Sequence, residues 1–166
     1  NDYKSRREYL YKMSNGEFIN WELVRTNINF IDWYNLSRNP NIVWSNINDN
    51  LDFPWDWKGL SVNEIITFEI IKYNRDKPWD WTFVSSNPNI TYEIVKNNRH
   101  EPWDWEALSS NDTIDLNDIA NSPHEPWHGE NLSTHSNLTW EFVINNEWIN
   151  WDYDYIIGYR GFDERH

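Results

Sequence analysis

The stretch Asn87-Pro88-Asn89-Ile90-Thr91-Tyr92-Glu93-Ile94-Val95, followed by Pro102-Trp103-Asp104-Trp105, sets the organisation of the chain because most of it is written more than once. Pro-Trp-Asp-Trp begins at Pro54, Pro78 and Pro102, and Pro-Trp returns at Pro126, each time 24 residues on. Phe30-Ile31-Asp32-Trp33 stands one period earlier and Asn150-Trp151-Asp152-Tyr153 one period later, which gives six copies without an insertion. Other columns keep step. Leu36-Ser37, Leu60-Ser61, Val84-Ser85, Leu108-Ser109 and Leu132-Ser133 form one; Asn39, Asn63, Asn87 and Asn111 another; Ile42, Ile66, Ile90, Ile114 and Leu138 a third. Upstream, Met13-Ser14 and Trp21-Glu22-Leu23-Val24 match an older copy with one residue deleted. A fixed period of this length is the mark of a repeat architecture.

Each repeat predicts two short helices. Thr91 suits an N-cap, Glu93 the first turn, and Ile90 with Val95 the two positions of a hydrophobic staple. This first helix is expected to stop near Asn98, in the column Asn50, Asn74, Asn98, Ser122, Asn146, because Asn tolerates the left-handed conformation that ends helices. The second is expected from Pro102, where proline fits a first turn and Asp104 complements the positive helix end, to about Ser109. On such a helix Trp103 and Trp105 lie about 200° apart, so one ring faces its own repeat and the other the next. One repeat cannot bury both, but stacked neighbours can. The sequence therefore predicts an all-α solenoid of about six two-helix repeats, with Trp55, Trp57, Trp79, Trp81, Trp103 and Trp105 as structural residues. Residues 1–29 form a degenerate N-terminal cap, 30–153 the tandem repeats and 154–166 a C-terminal cap or tail, all one continuous domain. A leucine-rich repeat has a similar period, but its Leu-x-Leu strand alternation is missing.

Composition narrows the function. The chain has 166 residues, enough for one domain with a sizeable core, and 14 Lys and Arg against 27 Asp and Glu, a formal charge of −13. Such a field repels a phosphate backbone, so nucleic acid is not an expected partner. The absence of cysteine removes disulfides, thiolate metal sites and cysteine nucleophiles. Apolar runs are far shorter than the roughly 20 residues that span a bilayer, so membrane insertion is not expected. Because residue 1 is Asn rather than Met, a processed or truncated start is expected. Twenty-five Asn and 17 Ile against two Ala and five Gly fit an AT-rich coding bias, but 13 Trp do not, since the Trp codon is G-rich.

Several motifs resemble catalytic or modification sites and dissolve on inspection. His124-Glu125-Pro126-Trp127-His128 matches His-Glu-x-x-His, yet that zinc site needs both imidazoles on one continuous helix, and Pro126 marks a helix start in the other repeats. Arg99-His100-Glu101-Pro102-Trp103-Asp104 is the same segment with Asp for the second His, so no metal is expected. The column Asp32, Asp56, Asp80, Asp104, Asp152 could suggest paired carboxylates, but a helix N-terminus already accounts for each. No Gly-rich phosphate loop or Ser elbow occurs, so neither catalytic residues nor cofactors are expected. Asn35, Asn89, Asn111, Asn131 and Asn137 head glycosylation sequons that the repeat generates automatically, and modification is not expected.

The segments Asn-Pro-Asn-Ile-Thr-Tyr and Pro-Trp-Asp-Trp resemble those of the Asn-Pro-Asn-Ile-Thr-Trp and Pro-Trp-Asp-Trp repeat proteins of large double-stranded DNA viruses, such as mimivirus relatives and iridoviruses. The likeness covers about residues 30–153. It implies a viral origin, with a place in the virion or in the cytoplasm of the infected host cell, and brings no catalytic residue. The expectation is a non-enzymatic viral repeat protein that binds a viral or host protein or builds the virion. A carbohydrate-binding module with exposed Trp faces is the alternative. In a solenoid the constant columns are consumed by stacking, so partner contacts fall on variable, exposed columns. The column Tyr34, Lys58, Thr82, Glu106, Glu130 and the column beginning at Arg38, one turn on, form the expected contact stripe, basic at Arg38 and Lys58 and acidic at Glu106 and Glu130.

Overall fold

The computed structural model describes residues 2–16 and 19–160. Positions 1, 17 and 18 of the expected N-terminal cap and 161–166 of the expected tail lie outside the described residues. The protein is all-α: its regular elements are thirteen short α-helices and one 3-10 turn, with no strand among the described residues. The chain divides into two compact units, Asn1–Asp80 and Trp81–His166.

In the first unit, helix Asp2–Asn15 packs against Trp33–Arg38, and Trp33–Arg38 against Trp57–Val62. These are second helices of consecutive repeats, with Asp2–Asn15 standing in as the first of the row. The first helices here are Trp21–Thr26, Trp44–Asn48 and Phe68–Tyr73. In the second unit, Trp81–Ser85, Trp105–Ser109 and Gly129–Leu132 lie side by side in the same way. Its first helices are Tyr92–Asn97, Leu116–Ala120 and Trp140–Asn145, and Tyr153–Arg160 ends the described chain.

Helices of one to two turns are marginal alone and persist because each buries one apolar row. Three aliphatic columns supply the core: Leu36, Leu60, Val84, Leu108 and Leu132 on the second helix, Ile42, Ile66, Ile90, Ile114 and Leu138 before the first, and Ile47, Ile71, Val95, Ile119 and Val143 within it. All fifteen are buried, none more than 4% exposed. Ile90 and Val95 flank the Thr91 cap, whose hydroxyl accepts from the Ile94 N–H at 3.4 Å, so the first helix Tyr92–Asn97 has the sequence elements of a stapled cap.

Two local expectations are corrected. The second helix starts at Trp105, not Pro102, because Asp104 is the N-cap: its Oδ1 accepts from the Ala107 N–H at 3.0 Å. Pro102 and Trp103 stay outside the helix, with the Trp103 N–H turned back to the Glu101 carbonyl at 2.8 Å. The 200° argument therefore does not apply to the Trp pair. The first helix also ends differently, since Asn98 has φ −130° and ψ 45°, outside the left-handed region. Its side-chain amide instead donates to the Ile94 carbonyl at 2.8 Å, four residues back, satisfying a helix-end acceptor directly. Asn50, Asn74 and Asn146 do the same. So does Asn27, which supports the register of the degenerate upstream copy.

Candidate functional site

The constant polar columns link neighbouring repeats within each unit through backbone hydrogen bonds. Ser61, Ser109 and Ser133 each donate a hydroxyl to the carbonyl four residues back at 2.6–2.7 Å, as Ser14 does at 2.9 Å. The free lone pairs then accept the N–H of the next repeat's cap residue: Asp56 to Ser37, Asp80 to Ser61, Asp104 to Ser85, His128 to Ser109 and Asp152 to Ser133, all at 2.9–3.0 Å. Because an N-cap residue's own N–H has no partner inside its helix, this contact satisfies a group that burial would otherwise leave costly.

The asparagine column makes the complementary link. Asn63 Nδ2 donates to the carbonyls of Ser37 and Asn39 at 2.9 and 3.1 Å, and Asn111 Nδ2 to those of Ser85 and Asn87 at the same distances. Oδ1 of Asn63 accepts the Ile65 N–H and that of Asn111 the Thr113 N–H, closing an Asx turn. Asn39 reaches Ser14 and Gly16 in the same manner, one residue out of period, so the deletion in the upstream copy preserves the link. His135 occupies this column in the last full repeat and keeps one donor and one acceptor, with the donor turned to a different carbonyl: Nε2 lies 3.1 Å from that of Ile114, 21 residues back, and Nδ1 accepts the Asn137 N–H at 3.3 Å. That pairing assigns the proton of the buried ring to Nε2.

The Trp rings divide between two tasks. The first Trp of each pair donates its indole N–H to the carbonyl five residues back, as Trp55 does to Asn50, Trp79 to Asn74 and Trp103 to Asn98 at 2.8–2.9 Å. These three rings are buried. The second Trp, half-buried, meets the first Trp of the next repeat edge to face, with centroid separations of 5.0–5.1 Å for Trp57 on Trp79, Trp81 on Trp103 and Trp105 on Trp127. An aromatic ring from a first helix lies near the same first Trp, Trp44 6.2 Å from Trp79 and Tyr92 5.7 Å from Trp127 between centroids. Gly129 departs from the column: a Cβ there would lie 2.0 Å from the Asn150 carbonyl oxygen, so the backbone of the following segment fills the space a Trp takes elsewhere.

The expected contact stripe is exposed throughout, at Tyr34, Arg38, Lys58, Thr82, Glu106 and Glu130. In the first unit, Arg38 lies over the Tyr34 ring, 5.4 Å from its centroid. In the second, the Thr82 hydroxyl donates to Asp104 Oδ2 at 2.6 Å, and Glu106 stands 3.8 Å from His128. The Thr82 hydroxyl, and after it the Ala107 N–H, hold the Asp104 carboxyl below its usual range.

The motifs that mimic catalysis are structurally occupied. The Asp column caps helices, with Asp32, Asp56, Asp104 and Asp152 accepting N–H groups three residues on. Residues 124–128 are not helical, and His124 faces Arg99 rather than His128. Among the described residues there is no group of three or more potential metal ligands. The nearly buried Glu125 carboxylate receives the Arg99 guanidinium and, at 3.0 Å, the Tyr92 hydroxyl. Burial first, and the adjacent Glu125 as well, push the Tyr92 phenol up. Of the sequons, Asn111 is buried with its amide donating twice, which leaves no room for a glycan.

Sequence inspection noted the Ser and Asn columns without giving them a task. Their constancy beside drifting neighbours was the available signal. The His at position 135, an exception to the Asn column, gave none. Comparison with protein-family models, with curated proteins and with solved structures finds no match to this chain.

Proposed function

We propose that the 24-residue repeats form a non-enzymatic α-solenoid that binds a protein partner or serves as a structural element of a virion. The observation that carries this is the division of labour among columns. The Trp, Ser and Asn columns and the three aliphatic columns are consumed between repeats, while Lys58, Glu106 and Glu130 project into solvent and change character from repeat to repeat. A scaffold that is internally satisfied and externally variable suits recognition. Viral origin, and a place in the virion or the infected cytoplasm, rest on the resemblance of the repeat motif. The sugar-binding alternative is less well supported, because Trp55, Trp79 and Trp103 are buried and have edge-on Trp neighbours.

The test is capture of partners by the full chain from infected cells, comparing wild type with a Lys58→Glu, Glu106→Lys variant. Loss of a specific partner at unchanged melting temperature supports the proposal. Identical capture by both, or a partner docked solely on the opposite face, contradicts the assigned stripe.

A further inference from the structure

On the reading of the chain as a protein-binding element, we propose that the face formed by helices Leu116–Ala120 and Trp140–Asn145 docks a lysine- and arginine-rich segment of the partner.

The charge pattern points there first. No Lys or Arg occurs between Arg99 and Arg160, while twelve Asp and Glu do. The first-helix columns explain how the balance was lost. One column reads Ser45, Glu69, Glu93, Asn117, Glu141, and the column three residues on reads Asn48, Lys72, Lys96, Ala120, Ile144. Glu69 and Lys72 form an ion pair at 3.6 Å along their own helix. At Glu141 the matching position is Ile144, so the carboxylate remains and its helical cation is gone.

Shape and exposed apolar surface coincide with that change. A cavity of about 300 Å³ opens between the two helices, lined by Asn117, Ala120, Glu141, Phe142 and Asn146 among others. It lies where the long lysine side chains of earlier repeats give way to the short Ala120. Close in sequence to its lining residues Asn145 and Asn146, Ile144 is 48% and Trp148 45% exposed, and the Trp148 indole is tethered to Asn146 Oδ1 at 3.3 Å. Asp118 and Glu147, each adjacent in sequence to a lining residue, are exposed.

The complementary ligand has an aliphatic stem and a cationic head. Lys and Arg stems cover Ile144 and Phe142 while their heads reach Glu141, Asp118 and Glu147, and a guanidinium can lie over the held Trp148 ring. A neutral apolar peptide would leave Glu141 facing an uncompensated surface, and an acidic one would be repelled.

Fluorescence anisotropy of the full chain with a labelled peptide of alternating Arg and Leu tests this. Glu141→Lys with Ile144→Lys restores the lysine of earlier repeats and changes the charge by +3. Glu106→Lys with Glu130→Gln changes it equally at the stripe. The proposal expects binding that weakens with salt, falls about tenfold or more in the first variant, and survives in the second, both at wild-type melting temperature. If the chain does not bind the peptide, or if both variants lose it equally, no seat exists at this face. If only the second variant loses binding, the docking site is the stripe, which overturns this inference and leaves the protein-binding reading intact. Equal binding of an alternating Glu and Leu peptide would also overturn it.

Discussion

Between Asn1 and Asp80 the chain carries ten Lys and Arg against twelve Asp and Glu, a balance of −2; between Trp81 and His166 it carries four against fifteen, a balance of −11. Internally the two units are built alike. Ser61 accepts the Asp80 N–H in the first as Ser85 accepts that of Asp104 in the second, and Asn63 and Asn111 make matching pairs of bonds to the preceding repeat. Side chains that satisfy backbone groups have therefore stayed constant within the chain, while those in solvent have diverged. In the second unit His135 replaces Asn with a ring that keeps one donor and one acceptor, whereas His128, in place of a capping Asp, makes no side-chain cap bond and keeps only the backbone link to Ser109.

Equivalent changes in the two units should have equal structural cost. Trp79→Ala and Trp103→Ala each remove a buried, hydrogen-bonded ring and should lower stability by about 3–5 kcal/mol in urea denaturation. Half-buried Trp21 should cost less. Negligible losses at all three would remove the aromatic part of the account. Ser61→Ala and Ser109→Ala strand the N–H groups of Asp80 and His128, and each should cost about 1–3 kcal/mol by the same measurement. A large loss in one unit and none in the other would break the equivalence.

Glycine sharpens the contrast. Gly129→Ala drives a methyl into the Asn150 carbonyl and should destabilise by about 1–3 kcal/mol, whereas Gly59→Ala meets neighbours no nearer than 3.1 Å and should cost less. Thermal melts of the two variants decide this.

The smallest effects depend on pH. Tyr92 has its phenol raised by burial, so its neutral form favours the fold: the contribution is complete below the ordinary tyrosine pKa and fades as pH rises through the raised value. Phe68 holds this column in the first unit and cannot titrate, so Tyr92→Phe should flatten the alkaline limb of the stability curve. Asp104 has the opposite sign. Its lowered carboxyl favours the fold above the ordinary aspartate range, and that contribution fades as pH falls through the lowered value. Thr82→Val should shrink this acid dependence in a pH series of melts.

Helix content and repeat period were legible because a 24-residue spacing, capping residues and aliphatic columns are local or periodic signals. The Thr91 cap and the burial of Ile90 and Val95 follow from them directly. The start of the second helix was misplaced because Pro102 and Asp104 are both good N-terminal residues, and only the tertiary bond from the Asp104 N–H to Ser85 separates cap from first turn. Asn98 misled similarly, since the sequence displays its backbone tolerance but not the fold of its amide onto Ile94. The exposure of Tyr34, Lys58, Thr82, Glu106 and Glu130 was legible by counting columns, since a variable column between constant ones faces solvent. The change at Glu141 and Ile144 is faint in the sequence, because its signal is the disappearance of a lysine from one column rather than the presence of a motif.

The central claim is that neighbouring repeats within each unit are joined by side chains that satisfy backbone groups. Residue-resolved amide hydrogen exchange tests it most directly, at the N–H groups of Asp56, Asp80, Asp104, His128 and Asp152. These amides precede their helices and have no helical partner, yet each is bonded to the serine 19 residues earlier. The account predicts protection comparable to the helical core at these five positions, recurring every 24 residues. Exchange at the rate of exposed loop amides would contradict it.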